Sequence, residues 1–565
     1  MRWILIVAAV VANLKCIFTN FNMDAEYAVL LSYRLARGDR MFLEMWEPHQ
    51  TSAFVGALFT WLYLAVTGTT TGIVLYLNAC GLVCKAAVTA VLYKILKRNA
   101  DEDGVFLLCL FFFTVNPKDT LLPEFSNLQL WFSALLFACL VRYLQRQSEK
   151  RWLLATGGFL CLEILAYPSC LLVFPAVIGI LLLYSEQKAR DTLLLTGECV
   201  LLGSAYCGWF VGRMGLENFV RNVGIMLAGD SSHSDPLSVK LRNLAAYSAQ
   251  AMCIVLAVAA VSAIAAGLIT LIRLLLRWDK SQLRHQYLRL FLSLYAGFGL
   301  LYTLVYVLST REGYDYYALY LPLVAAGCCA RTFCSPQTRR IHTVGLAISG
   351  MSFAATMALT NLTVVITLAY AALAVGGSLL TLAEAAKSRA ESGDGKKDSR
   401  AVTTFLTLFC ALAVFRCGYL NRSMCYELTN VFQIRNVVKS GPALGIFSDY
   451  IGPHMMNRDR DEWADHVQAG DRLLIVGIGA GHTSGYLYED VEICTDSTIS
   501  TPTYDEKLLT YWEQNPQKMP NVVAVSCTYG NSSFPEDSWI MRWLEEEFRA
   551  DEISDGTYHR FYRKR

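Results

Sequence analysis

Charge is scarce in this chain. Asp, Glu, Lys and Arg make up 17% of its 565 residues, 54% are hydrophobic, and the mean hydropathy is +0.37. Soluble domains carry about 25% charged residues, so the deficit excludes an ordinary water-soluble enzyme and predicts a multi-pass membrane protein. The net charge is only +2 and no Lys/Arg-rich block occurs, which excludes nucleic acid as a partner. Zinc-type CxxC pairs are missing among the 18 cysteines. Cys80, Cys84, Cys109, Cys161, Cys328 and Cys329 lie in apolar runs, where cysteine behaves as a small hydrophobe. Cys494 and Cys527 could pair in an oxidising exterior, although neither spacing nor count argues for it. No His/Cys/Asp cluster has metal-ligand spacing, so a divalent cation would have to be held from distant loops, and no cofactor is established. The Gly-rich turn "VGIGAGH" (476–482) lacks the strict G-x-G-x-x-G and its following helix, so Gly477, Gly479 and Gly481 read as loop-shaping residues. No internal repeat is found.

What the chain has is long apolar runs. Thirteen are long enough to span a bilayer: 3–19, 72–94, 104–120, 125–144, 152–167, 169–185, 192–213, 243–276, 286–308, 315–331, 341–360, 362–384 and 401–419. Arg2 precedes the first without a small-residue cleavage site, which predicts a retained helix. Basic clusters at Lys94/Lys97/Arg98, Arg142/Arg146/Lys150/Arg151, Lys188/Arg190, Arg273/Arg277/Lys280/Arg284, Arg331/Arg339/Arg340 and Lys387/Lys396/Lys397/Arg400 occupy alternate loops. The positive-inside rule puts those loops and the N-terminus in the cytoplasm. The expected protein is therefore an α-helical polytopic protein of the plasma membrane. Its transmembrane domain is residues 1–420, and its small extracytoplasmic α/β domain is residues 421–565. Within the latter, "RLLIVGIG" and "NVVAVSC" read as buried strands, 504–515 and 537–548 as amphipathic helices, and "YHRFYRK" as an edge strand. The first outer loop, 20–71, contains "HQTSAFVGALFTWLYLAVT" (49–67), which reads as an interfacial helix. Arg34, Arg37 and Arg40 in the same loop are candidates for contact with anionic lipid.

Asp24 and Glu26 sit just beyond the first span. Residue type alone allows a bland reading: Asp24 caps the helix that follows and Glu26 occupies its first turn, where the macrodipole favours negative charge. The order of features beyond them suggests more. Asp-x-Glu-Tyr is followed by an amphipathic helix, "ARGD", "EMWEPHQ" and an apolar run ending at Gly68. This resembles the first outer loop of the GT-C glycosyltransferases, the superfamily of protein O-mannosyltransferases, aminoarabinose transferases and oligosaccharyltransferases, over roughly residues 1–150. Pro48-His49-Gln50 stands where His-Pro-Pro is usual, a departure from the pattern.

The resemblance implies inverting transfer of a sugar from a polyprenyl-phosphate donor to an outer acceptor: a glycan, a lipid or a protein. It implies Asp24 as the general base, with Glu26 assisting. Glu124, in "NPKDTLLPEFSNLQLW", is expected either to orient the acceptor or ligate a metal, or simply to start a helix beside Pro123. Arg311, in "STREGYDYYALYLP", is a candidate for the donor phosphate, against snorkelling to headgroups. His233 and His49 are further phosphate candidates, a solvated loop histidine being the alternative for His233. Tyr314 and Tyr316 are candidates for the acceptor cavity. Competing readings are a transporter or lipid flippase, which would place charges at the midplane of several spans where Glu163 is the clearest, and a non-catalytic envelope scaffold.

Overall fold

A computed structural model of the chain describes residues 2–98, 100–228, 235–275, 283–311, 316–391, 396–423, 427–477, 483–498, 505–528, 531–532, 538–550 and 559–565. His233, Tyr314 and most of the Gly-rich turn, residues 478–482, lie outside these residues, as does the side chain of Cys527.

Each of the thirteen apolar runs contains a helix, but the run 104–120 leaves its helix at Thr114 and ends in a loop, and the run 362–384 is interrupted by a tighter turn at Leu368–Ala371. The first half comprises α1 (Arg2–Thr19), α2 (Met23–Arg37), α3 (Ala53–Thr67), α4 (Ile73–Leu96), α5 (Glu102–Thr114), α6 (Phe125–Gln145) and α7 (Arg151–Ala166). Longer helices follow, among them Lys188–Met214, Leu237–Leu275, Leu283–Ser309, Pro336–Leu359, Ala372–Glu391 and Lys396–Tyr419. Among the described residues, ten helices are long and apolar enough to cross a membrane, and one of them includes α3, expected from sequence to lie in the interface. Several of these helices turn large apolar side chains outward, including Leu193, Leu201, Ile264 and Leu275. An apolar surface of that extent needs lipid, not water, around it. The chain is a multi-pass membrane protein.

The bundle core centres on α6, whose side chains pack against α4, α7 and Pro336–Leu359. α2 begins at Asn22, whose Oδ1 accepts from the Ala25 N–H at 3.1 Å, and ends at Gly38 with φ of 103°, a left-handed stop that glycine adopts without a Cβ clash. The apolar face of α3 lies on α2 so closely that a Cβ at Gly56 would fall 2.2 Å from Ser32 Oγ.

The tail forms a mixed sheet in the order Glu492–Ile493, Arg472–Val476, Val522–Thr528, His559–Lys564, Phe548–Ala550. The first three strands are parallel, and His559–Lys564 is antiparallel to both of its neighbours. The expected edge strand is therefore internal, because the three-residue strand Phe548–Ala550 covers its far side. One face of the sheet shares a core with the first loop: Phe21, Ala25, Val29, Leu30 and Tyr33 pack with Leu473, Ile475 and Val522. On the other face Trp46 packs with Leu474 and Val523 and meets Tyr511 edge-on at 5.5 Å. These contacts hold the start of α2 at the end of the bundle, beside the loop that enters α6.

Candidate functional site

The loop from Asn116 to Glu124 organises the site. Lys118 and Asp119 both have φ of 54°, a left-handed conformation that costs a side-chain-bearing residue on the order of 1 kcal/mol or more. It is held by Asn22 Nδ2, which donates to the Lys118 carbonyl at 3.0 Å. The two adjacent side chains serve different partners. Lys118 Nζ lies 3.2 Å from Asp24 Oδ2 and 4.4 Å from the centre of the Phe125 ring. The Asp119 carboxylate lies 3.6 Å from both Arg416 Nη1 and Arg422 Nε.

Asp24 is not the helix cap, since Asn22 fills that position. Its carboxylate is 29% exposed, open enough to meet a ligand while held by Lys118. Glu124 is the cap of α6: its two oxygens accept from the Ser126 and Asn127 N–H groups at 2.8 Å each, and Thr120 Oγ1 adds a third bond at 3.2 Å. Asp24 and Lys118 both lie within electrostatic range of it. Burial pushes the Glu124 carboxyl above the ordinary glutamate range, against the opposing pull of Lys118 and those N–H donors. Glu26 is buried and accepts a hydrogen bond from Ser484 Oγ, so it faces the tail.

His49 stacks on Phe125 at 4.2 Å and lies 5.2 Å from the Tyr167 ring, in an aromatic cluster beside Lys118. Tyr316 lines a small cavity of about 60 Å³ with Asn116, Lys118, Asp119, Arg416 and Arg422. The Arg416 guanidinium lies 4.7 Å above the Tyr316 ring. Arg311 is exposed beyond the helix Leu283–Ser309 and does not line that cavity. The structure thus brings Asp24, Glu124, His49 and Tyr316 around Lys118 and leaves Arg311 outside.

Arg34 does not face lipid. It is buried, donates from Nε to Asp39 at 2.8 Å and from Nη1 to Glu47 at 3.3 Å, and joins the first loop to the tail through the Thr495 carbonyl. Arg37 pairs with Asp490 at 2.8 Å, and Arg40 with Glu44 at 2.9 Å. Cys494 Sγ is buried and donates to the Glu492 carbonyl.

The ammonium of Lys118 takes the position beside Asp24, both Glu124 oxygens are used by backbone donors, and no metal-holding group of three occurs among the described residues. The site sets a partly exposed carboxylate next to a cationic pocket.

Lys118, Asp119, Arg416 and Arg422 were missed by sequence reasoning. The last two had a signal: they flank the end of the final apolar run, on the side opposite the alternating basic loops, where cations need a reason.

No protein-family profile matches the chain, and no curated protein does. Two solved structures of the oligosaccharyltransferase from Archaeoglobus fulgidus are distantly similar to it. One, the archaeal oligosaccharyltransferase AglB in complex with an inhibitory peptide and a dolichol-phosphate, is 10% identical over 99% of this chain and 74% of its own, with a TM-score of 0.39. The other, tethered by a disulfide to an acceptor peptide containing the NVT sequon, is 10% identical over 99% and 73%, with a TM-score of 0.45.

Proposed function

We propose that the chain is a membrane glycosyltransferase of the GT-C kind, moving a sugar from a polyprenyl-phosphate donor to an extracytoplasmic acceptor. The observation that carries this reading is the pair of adjacent residues Lys118 and Asp119, which places the Asp24 carboxylate next to a cavity walled by Arg416 and Arg422. The donor phosphate would enter where the Asp119 carboxylate now meets both guanidinium groups. Guanidinium suits that task because it offers several fixed N–H donors and keeps its charge. Asp24 takes the proton from the acceptor hydroxyl or amine as it attacks the anomeric carbon. The bond from that carbon to the phosphate oxygen breaks, and the electron pair leaves with the lipid phosphate, whose charge Arg416, Arg422 and Lys118 stabilise. Attack from the face opposite the phosphate inverts the anomeric centre. Glu124 contributes by fixing the start of α6 and the loop that carries Lys118.

The transporter reading has less support. Two charges buried among the helices are held by neutral groups: Lys85 Nζ donates to Asn13 Oδ1 at 3.2 Å, and Glu163 accepts from Ser352 Oγ at 3.3 Å. Neither lines the cavity described above.

The alternating basic loops support placing this site and the tail outside the cell. Reporters fused after Glu391 and after Arg565 should report opposite sides, cytoplasmic and external; a cytoplasmic signal from both overturns the threading. The activity itself is tested by reconstituting the chain with polyprenyl-phosphate-linked sugars and following inverted product. Lys118→Met keeps length and removes the charge, and should lower transfer roughly 10- to 100-fold, the worth of one charge-assisted hydrogen bond. Unchanged transfer would remove Lys118 from the mechanism.

A further inference from the structure

The segment that leaves the last membrane helix carries an apolar surface that packing within the protein does not explain. Strand Leu420–Arg422 pairs with Leu428–Asn430, and a second hairpin pairs Asn436–Val437 with Phe447–Ser448. This segment runs across the ends of three helices. The Val431 N–H donates to the Tyr419 carbonyl at 2.8 Å, at the end of Lys396–Tyr419. Asn421 Nδ2 donates to the Thr19 carbonyl at 3.1 Å, at the end of α1. The Gly72 and Val74 N–H groups donate to the Gly441 and Pro442 carbonyls at 3.0 and 3.1 Å, at the start of α4. The segment is therefore level with the helix ends and not raised above them.

At that level it exposes Phe432 (69%), Phe447 (40%), Leu444 (37%) and Val431 (36%). We propose that residues 431–447 form an apolar foot seated in the lipid leaflet on the tail's side of the bundle. Continuity with the lipid-facing helix surfaces identifies lipid as the occupant. Phe415 stacks on Tyr419 at 5.2 Å, and Tyr419 meets Phe432 edge-on at 6.2 Å, so an aromatic ladder runs from the last span into the foot. Leu408 and Phe415 on that span, and Leu14 and Phe18 on α1, are exposed in the same way.

Two exposed cations sit among the apolar residues, Arg435 and Lys439; Arg435 Nε donates to the Phe432 carbonyl at 2.8 Å. Aromatic and aliphatic side chains dipping below headgroups, with basic residues beside them, make up the composition of an interfacial anchor that favours anionic lipid. The foot begins nine residues after Arg422 and so fixes the arginine cavity at headgroup height. It rests on the membrane reading of the helices and is independent of the transfer chemistry.

The test uses the full chain in nanodiscs of phosphatidylcholine and phosphatidylglycerol, doped with phosphatidylcholine carrying a diazirine in its acyl chain. After irradiation, labelled peptides are mapped by mass spectrometry. Peptides covering 431–447 should label as strongly as the exposed face of α1 and several-fold above the helix Trp539–Glu547. Phe432→Asp with Phe447→Asp, both exposed and so compatible with folding, should cut labelling of 431–447 several-fold and leave α1 unchanged. Label in α1 but none in 431–447 would overturn the proposal, and so would labelling of 431–447 that Phe432→Asp with Phe447→Asp leaves unchanged.

Discussion

Asp24→Asn should lower sugar transfer by about 10²–10⁴-fold, the usual contribution of a positioned general base, while the protein stays folded and inserted. Folding should survive because Asn22, and not Asp24, caps α2. Lys118 also keeps the Phe125 ring and the nearby Glu124 carboxylate when Asp24 becomes neutral. Asparagine keeps the size of the side chain and can still accept a hydrogen bond from Lys118 Nζ, but it cannot take a proton. Single-turnover transfer, measured beside the thermal midpoint of the purified protein, separates the two effects. Full activity in Asp24→Asn would reduce the carboxylate to a partner of Lys118. A lost midpoint with lost activity would be resolved by Asp24→Asn with Lys118→Met, which removes both charges together and should restore stability without restoring transfer.

The second large effect belongs to the arginines. Arg416→Gln with Arg422→Gln removes two guanidinium groups from the cavity that Tyr316 and Asn116 also line. Each charge-assisted hydrogen bond to an anion is worth roughly 1.5–3 kcal/mol, so kcat/KM for the lipid donor should fall by about 10²–10⁴-fold. The double variant leaves Asp119 without its two cations, which could weaken the fold by itself. Adding Asp119→Asn neutralises that charge; the triple variant should fold normally and remain inactive toward the donor. Donor kinetics near those of the unaltered protein would move the phosphate elsewhere.

Much of the architecture is legible in the sequence because bilayer thickness imposes a length on apolar runs: each of the thirteen contains a helix, and ten helices among the described residues are long enough to span. The tail strands Arg472–Val476 and Val522–Thr528 were equally plain, being short apolar runs between polar segments. The misplacement of His559–Lys564 has a local cause: its cover, Phe548–Ala550, is three residues long and continues directly from the helix Trp539–Glu547. Asp24, Glu26 and Glu124 stood out because a carboxylate beside a span is costly. What one sequence could not display is which distant residues meet. Asp119 pairs with Arg416 and Arg422, roughly 300 positions away, and each cation alone reads as a headgroup contact. The left-handed turn at Lys118 and Asp119 is also hard to see locally: aspartate is enriched at positive φ, but lysine is not, and the two occur together here.

The most direct measurement is a high-resolution structure of the full chain with a polyprenyl phosphate bound in nanodiscs. The phosphate oxygens should lie about 3 Å from the Arg416 and Arg422 guanidinium nitrogens, with the Asp119 contacts to both loosened and Asp24 facing the sugar-bearing side of the phosphate. A phosphate held elsewhere, with the pairs of Asp119 to Arg416 and Arg422 intact, would contradict the assignment of this cavity as the donor site.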